Sequence, residues 1–127
     1  TKRGIKLMEH PFLGTHILSE IYGVSEDKFK NITKVVACVE RGIEKSGATL
    51  VKTHYFKFEP IGFTIVSILK ESHVSIHTYP EQKAAFIDVF TCGNIVPEII
   101  VQEIIAYFSP KRTQTQTINR GIRDTVS

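Results

Sequence analysis

Tryptophan is missing from this 127-residue chain, methionine occurs once and cysteine only twice. Two cysteines, Cys38 and Cys92, with no secretory signal ahead of them, give no disulfide framework and point to reduced thiols in a cytoplasmic protein. No apolar run approaches the roughly 20 residues that a membrane-spanning helix needs. Blocks of like charge are also missing: 16 basic and 13 acidic residues are scattered, for a net charge of +3. That balance argues against nucleic acid or an anionic membrane as the main partner. No Gly-x-Ser-x-Gly turn surrounds any serine, so the signature of a nucleophile-elbow hydrolase is lacking.

Hydrophobic residues make up 42% of the chain, enough to fill a core. A chain of this length is expected to fold as one domain, residues 1–127, burying roughly two thirds of its surface without a staple. Thr1 to Pro11 is basic and aperiodic and reads as an arm. Thr15 to Tyr22 alternates as a strand, with Ile17 and Ile21 on the face of Thr15 and Ser19. Ser25 to Lys30 reads as a turn of helix. Ile32, Val35, Val36, Val39 and Ile43 then form one stripe at helical spacing to Ser46, with Asn31 as N-cap and Gly47 as left-handed terminator.

Ala48 to Phe58 reads as a strand. Phe63 to Leu69 is apolar on both parities and predicts a strand covered on both faces. His73–Tyr79 and Ala84–Thr91, joined by Pro80 to Lys83, predict an antiparallel hairpin. Pro97 suits a first helical position, and the helix it opens runs to Phe108. Arg112 to Ile118 predicts an edge strand. Tight turns favour antiparallel pairing, so the expected class is α+β: a two-layer sandwich with helices on one face of an antiparallel sheet.

Chemistry concentrates between Lys70 and Gly93. Ser72 stands between Glu71 and His73, His77 lies in the same run, and Cys92 ends the next. Taken alone, a serine beside a histidine is a solvated strand start, and Cys92 a small hydrophobe. His73 and His77 share a strand face, and Cys92 offers a third metal ligand, but no fourth is evident and the spacing matches no structural zinc pattern. Ser72 and His77 differ by an odd number of positions and would face opposite ways in a regular strand, so a turn or bulge is required near Glu71–His73.

The run Glu71-Ser72-His73-Val74-Ser75-Ile76-His77-Thr78-Tyr79-Pro80-Glu81, followed by Ala85-Phe86-Ile87-Asp88-Val89-Phe90-Thr91-Cys92-Gly93, resembles the short bacterial and archaeal S-adenosylmethionine decarboxylases. Gly14-Thr15-His16 with Glu20, Lys45-Ser46-Gly47-Ala48, Phe56-Lys57-Phe58 with Pro60 and Gly62, and Arg120-Gly121 extend the resemblance from about Gly14 to Arg123. The resemblance implies a pyruvoyl enzyme of polyamine (spermidine) synthesis that makes its cofactor from Ser72. Cleavage between Glu71 and Ser72 would give a β chain, 1–71, and an α chain, 72–127. His77 matches the processing base and Thr64 the position of a supporting hydroxyl, usually serine. Cys92 matches the proton donor, Phe58 the aromatic that stacks on adenine, and Glu81 the carboxylate for ribose hydroxyls. Catalysis would run through a Schiff base between the substrate amine and the pyruvoyl ketone, with no metal. A homodimer with the site near its interface is also implied. Glu20 is expected to pair with a basic group and takes no catalytic role. Tyr79 stands where tryptophan is common, and Gln82-Lys83 replaces a more aromatic turn. Because relatives decarboxylate arginine or ornithine, those substrates form one alternative. An unprocessed ligand-binding protein forms the other.

Overall fold

Alternating side chains set the architecture. A computed structural model of the chain describes residues 12–121. Its strands are β1 (Gly14–Tyr22), β2 (Leu50–Lys57), β3 (Phe63–Leu69), β4 (His73–Tyr79), β5 (Ala84–Cys92) and β6 (Arg112–Arg120). Its helices are α1 (Ile32–Ser46) and α2 (Pro97–Phe108), with 3-10 turns at Glu26–Phe29 and Pro80–Gln82. The six strands form one sheet in the order β2-β3-β4-β5-β1-β6, and every neighbouring pair is antiparallel. The expected arm at residues 1–11 lies outside the described residues.

Both helices cover the same face of this sheet. Ile17 and Ile21 of β1, Ile65 of β3, Ile76 of β4, and Ile87 and Val89 of β5 point to that face and are buried. Val35, Val39 and Ile43 of α1 meet them together with Ile100, Ile104 and Phe108 of α2. Gly42 lets the helices approach closely, since a Cβ there would stand 3.2 Å from the Ile100 Cα and from the Glu103 Cβ. α1 begins where the Asn31 side chain accepts from the Lys34 amide at 3.2 Å, and it ends at Gly47 with φ 92°.

Among the described residues the second face of the sheet carries no helix. β3 is therefore covered on one side, not on both: Phe63, Ile65, Ser67 and Leu69 are buried, whereas Thr64 and Val66 are half-buried and Ile68 is exposed. Its unbroken apolar pattern has the composition of a strand with two covered faces, but the described residues supply only one cover. Phe56 (63% exposed), Ile68 (43%), Phe86 (41%) and Ile118 (41%) all lie on this open face.

Truncating the centre of the helical layer tests this packing. Ile43→Ala, at a side chain 1% exposed, is expected to lower stability by about 2–4 kcal/mol in urea unfolding, with the secondary structure retained.

Candidate active site

The chain bends at Lys70 and Glu71, between β3 and β4. The Leu69 amide donates to the Ser72 carbonyl at 2.9 Å, and the Lys70 amide to the Thr49 carbonyl at 2.9 Å. The Glu71 carboxylate accepts from the Thr49 amide at 3.2 Å. Ser72 thus stands outside the pleat of β4, which removes the parity conflict with His77. Its hydroxyl donates to the carbonyl oxygen of Glu71, at the peptide bond predicted to break. The Ser72 Oγ is also 3.7 Å from the Cys92 Sγ.

Register brings the thiol there. β4 and β5 pair with His73 opposite Phe90, so the last open-face residue of β5, Cys92, comes level with the bend. Gly14 of β1 pairs with Cys92 and leaves room for it. A Cβ at Gly14 would stand 2.6 Å from the Thr91 carbonyl oxygen, 2.8 Å from the Phe90 ring and 3.1 Å from the Cys92 sulfur.

The other expected residues lie at the opposite end of the sheet. His77 pairs with Thr64 across β3 and β4. Phe58 follows β2 and packs on Phe56 with ring centroids 5.1 Å apart, and Glu81 lies in the turn after β4. His77 is four residues beyond His73 on β4, about 13 Å at the usual rise of about 3.3 Å per residue. Within one chain it is out of reach of Ser72. The structure therefore assembles Ser72 with Cys92, and Thr64 with His77, but not one group with the other. Within one chain the same separation keeps His73, His77 and Cys92 from forming a metal set.

Between the two groups lies a polar cluster that was not singled out in the sequence. Asp88 of β5 accepts from His16 of β1 and from Ser75 at 2.6 Å, and the His73 Nε2 lies 3.3 Å from its Oδ1. Burial pushes the Asp88 pKa up, but the hydrogen bonds from Ser75 and His16, with the His73 ring nearby, outweigh it. The carboxyl is held below its ordinary value. The Arg120 guanidinium lies 3.1 Å from the His16 Nδ1 and stacks 4.6 Å over the Phe90 ring. Alternation along β4 and β5 places His73, Ser75 and Asp88 on the open face. Bringing His16 beside them needs β1 next to β5, which the sequence does not announce. Among the described residues Glu20 accepts from the Tyr22 hydroxyl and pairs with no basic side chain. With Leu18, Ser75, His77, Phe86 and Asp88 it borders a shallow hollow of about 400 Å³.

Residues 15–121 match the sequence model of the S-adenosylmethionine decarboxylase family. The chain belongs to that family. A protein of Aquifex aeolicus named S-adenosylmethionine decarboxylase proenzyme is 40% identical over 111 residues, covering 87% of this chain and 82% of its own. A protein of the same name from Methanococcus maripaludis is 42% identical over 115 residues, covering 88% of this chain and 93% of its own. The crystal structure of the adenosylmethionine decarboxylase from Aquifex aeolicus superposes with a TM-score of 0.81 at 38% identity, covering 92% of this chain and 98% of that one. The two-layer α+β fold of this decarboxylase family member is thus shared with a solved relative.

The close fit at Gly14 sets a prediction. Gly14→Ala is expected to cost about 1–3 kcal/mol in chemical denaturation, because the backbone oxygen of Thr91 cannot yield as a flexible side chain would. An unchanged midpoint would show that β1 moves freely away from Cys92.

Proposed function

We propose that this chain cuts itself between Glu71 and Ser72 and then decarboxylates S-adenosylmethionine. The observation that carries the reading is the Ser72 hydroxyl against the Glu71 carbonyl, with the Cys92 thiol 3.7 Å from it. Belonging to a family whose relatives are named proenzymes supports it.

The Ser72 Oγ attacks the carbonyl carbon of Glu71. The new C–O bond replaces the C–N bond, the hydroxyl proton passes to the nitrogen of Ser72, and an ester results. A base next removes the Ser72 Cα hydrogen, and the Glu71 carboxylate leaves from Cβ. Water then replaces the nitrogen, ammonia departs, and a ketone remains at the new N-terminus, 72. Once formed, this pyruvoyl group supplies a sink for the electrons released with carbon dioxide. Cys92 beside position 72 is the group that returns a proton to the substrate carbon. The exposed Phe58 ring, braced by Phe56, is the stacking surface for adenine, and Glu81 accepts from the ribose hydroxyls.

A proton transfer needs its base within about 3 Å, and His77 of the same chain is not there. A second copy resolves this. A two-fold rotation that lays one open face on another with strand ends reversed carries Ser72 and Cys92 to the partner's Thr64 and His77. The same rotation completes a second, identical site. It also covers Phe86, Ile68 and Ile118, and it gives β3 the second cover that its apolar pattern implies. The active unit is a homodimer of processed chain pairs, each site being shared.

Mixed dimers test the sharing. Ser72→Ala alone stays whole, and His77→Ala alone stalls at an ester that hydroxylamine cleaves. Co-expressed, the His77→Ala chain is cut at position 71, because it meets an intact imidazole from the Ser72→Ala copy. If the His77→Ala chain remains whole in the mixture, the base is not shared.

Cys92→Ala is expected to be cut normally but to release carbon dioxide from S-adenosylmethionine about 100-fold more slowly, or worse. Full turnover by that variant would remove Cys92 as proton donor.

A further inference from the structure

Resting on the self-cleaving reading above, we infer that Asp88 is a positioning residue for the cleavage: its carboxylate holds His73, the residue directly after Ser72, and fixes the C-terminal side of the breaking peptide. The N-terminal side is already tied, since Lys70 and Glu71 both bond the backbone of Thr49. Beyond the bond, the chain is tied through His73. Its Nε2 lies 3.3 Å from Asp88, whose other oxygen takes the Ser75 hydroxyl at 2.6 Å. His16 donates to the same carboxylate from β1, so one side chain of β5 links the strands on either side of it. Both imidazoles pack on Phe90, with ring centroids 5.3 Å and 6.0 Å away.

His16, His73 and Asp88 also have the composition of a transition-metal site, with ligand atoms within 4.8 Å of one another. The donor pattern speaks for a hydrogen-bond network. The Arg120 guanidinium can only donate, so the His16 Nδ1 that it touches at 3.1 Å is the acceptor. The hydrogen of His16 is then on Nε2, directed at Asp88, where a metal would need a lone pair. A fixed positive charge from Arg120 also sits beside the cluster. The carboxylate is thereby supplied with donors from three side chains, and the peptide following Ser72 is held by a charge-assisted bond. Ordering of this kind acts on the first step, the approach of Oγ to the carbonyl carbon, by limiting how far the bend can wander.

The test follows the intact mass of newly synthesised chains over time, for wild type, Asp88→Asn, His73→Phe and His73→Gln. His73→Phe keeps the ring packing but loses the donor. His73→Gln returns an amide donor near the former Nε2. Asp88→Asn and His73→Phe are expected to be cut at least tenfold more slowly, and His73→Gln to recover much of the rate. The uncut chains should resist hydroxylamine, because the delay precedes the ester. Wild-type rates in Asp88→Asn and His73→Phe would overturn the inference and leave self-cleavage standing. Slow variants that hydroxylamine cleaves would overturn it too, moving the role to the elimination. A wild-type chain that never splits would remove the self-cleaving reading itself. If Asp88→Asn lacks a cooperative melt, the His73 pair decides, because that side chain is 39% exposed and its loss opens no core.

Discussion

A slip of one residue in the pairing of β4 with β5 would turn every side chain of one strand to the other face. In the observed register His73 is opposite Phe90, and Cys92 reaches the bend that carries Ser72. The same register sets Asp88 opposite Ser75 and within reach of His73. The placement of the Ser72 hydroxyl beside the Cys92 thiol, and of the polar network, therefore depends on one ladder of backbone hydrogen bonds. The ladder is held by what lies beneath it: Val74, Ile76, Ile87 and Val89 are buried under the helices, and a slipped strand would lose that burial.

Having helices on only one face is the second consequence. A sheet covered once presents its other surface to whatever binds there, and here that surface carries both the reactive groups and the exposed apolar side chains. Chemistry and assembly compete for the same residues only if they are separate events. In the dimer proposed above, a second copy supplies the missing end of the site, so covering the sheet and completing the proposed catalytic set are a single event. Water leaves the face as the groups meet, which strengthens each polar contact within it.

Tightness at the bend comes from backbone as much as from side chains. Thr49, just ahead of β2, accepts from Lys70 and donates to Glu71, so the loop after α1 braces the turn after β3. Gly14 clears the space that Cys92 needs, and Arg120 reaches back over Phe90 from the final strand. Elements distant in the sequence thus meet around the peptide bond between Glu71 and Ser72.

By itself the sequence determined the elements and the family. Alternation and helical stripes gave the strands and both helices close to their observed limits, because local period and capping act over a few residues. The run around Ser72 carried the family resemblance and its site residues. Strand order was not legible: β1 inserts between β5 and β6, and no local pattern encodes which edges meet. For that reason no local pattern announces the Asp88 cluster, the Tyr22 hydroxyl on Glu20, or the single cover that the described residues give β3. Only the tertiary structure decided that Ser72 and His77, five residues apart in a line of text, lie at opposite ends of a face. An extended strand converts short sequence separation into distance, whereas a sheet converts long separation into contact.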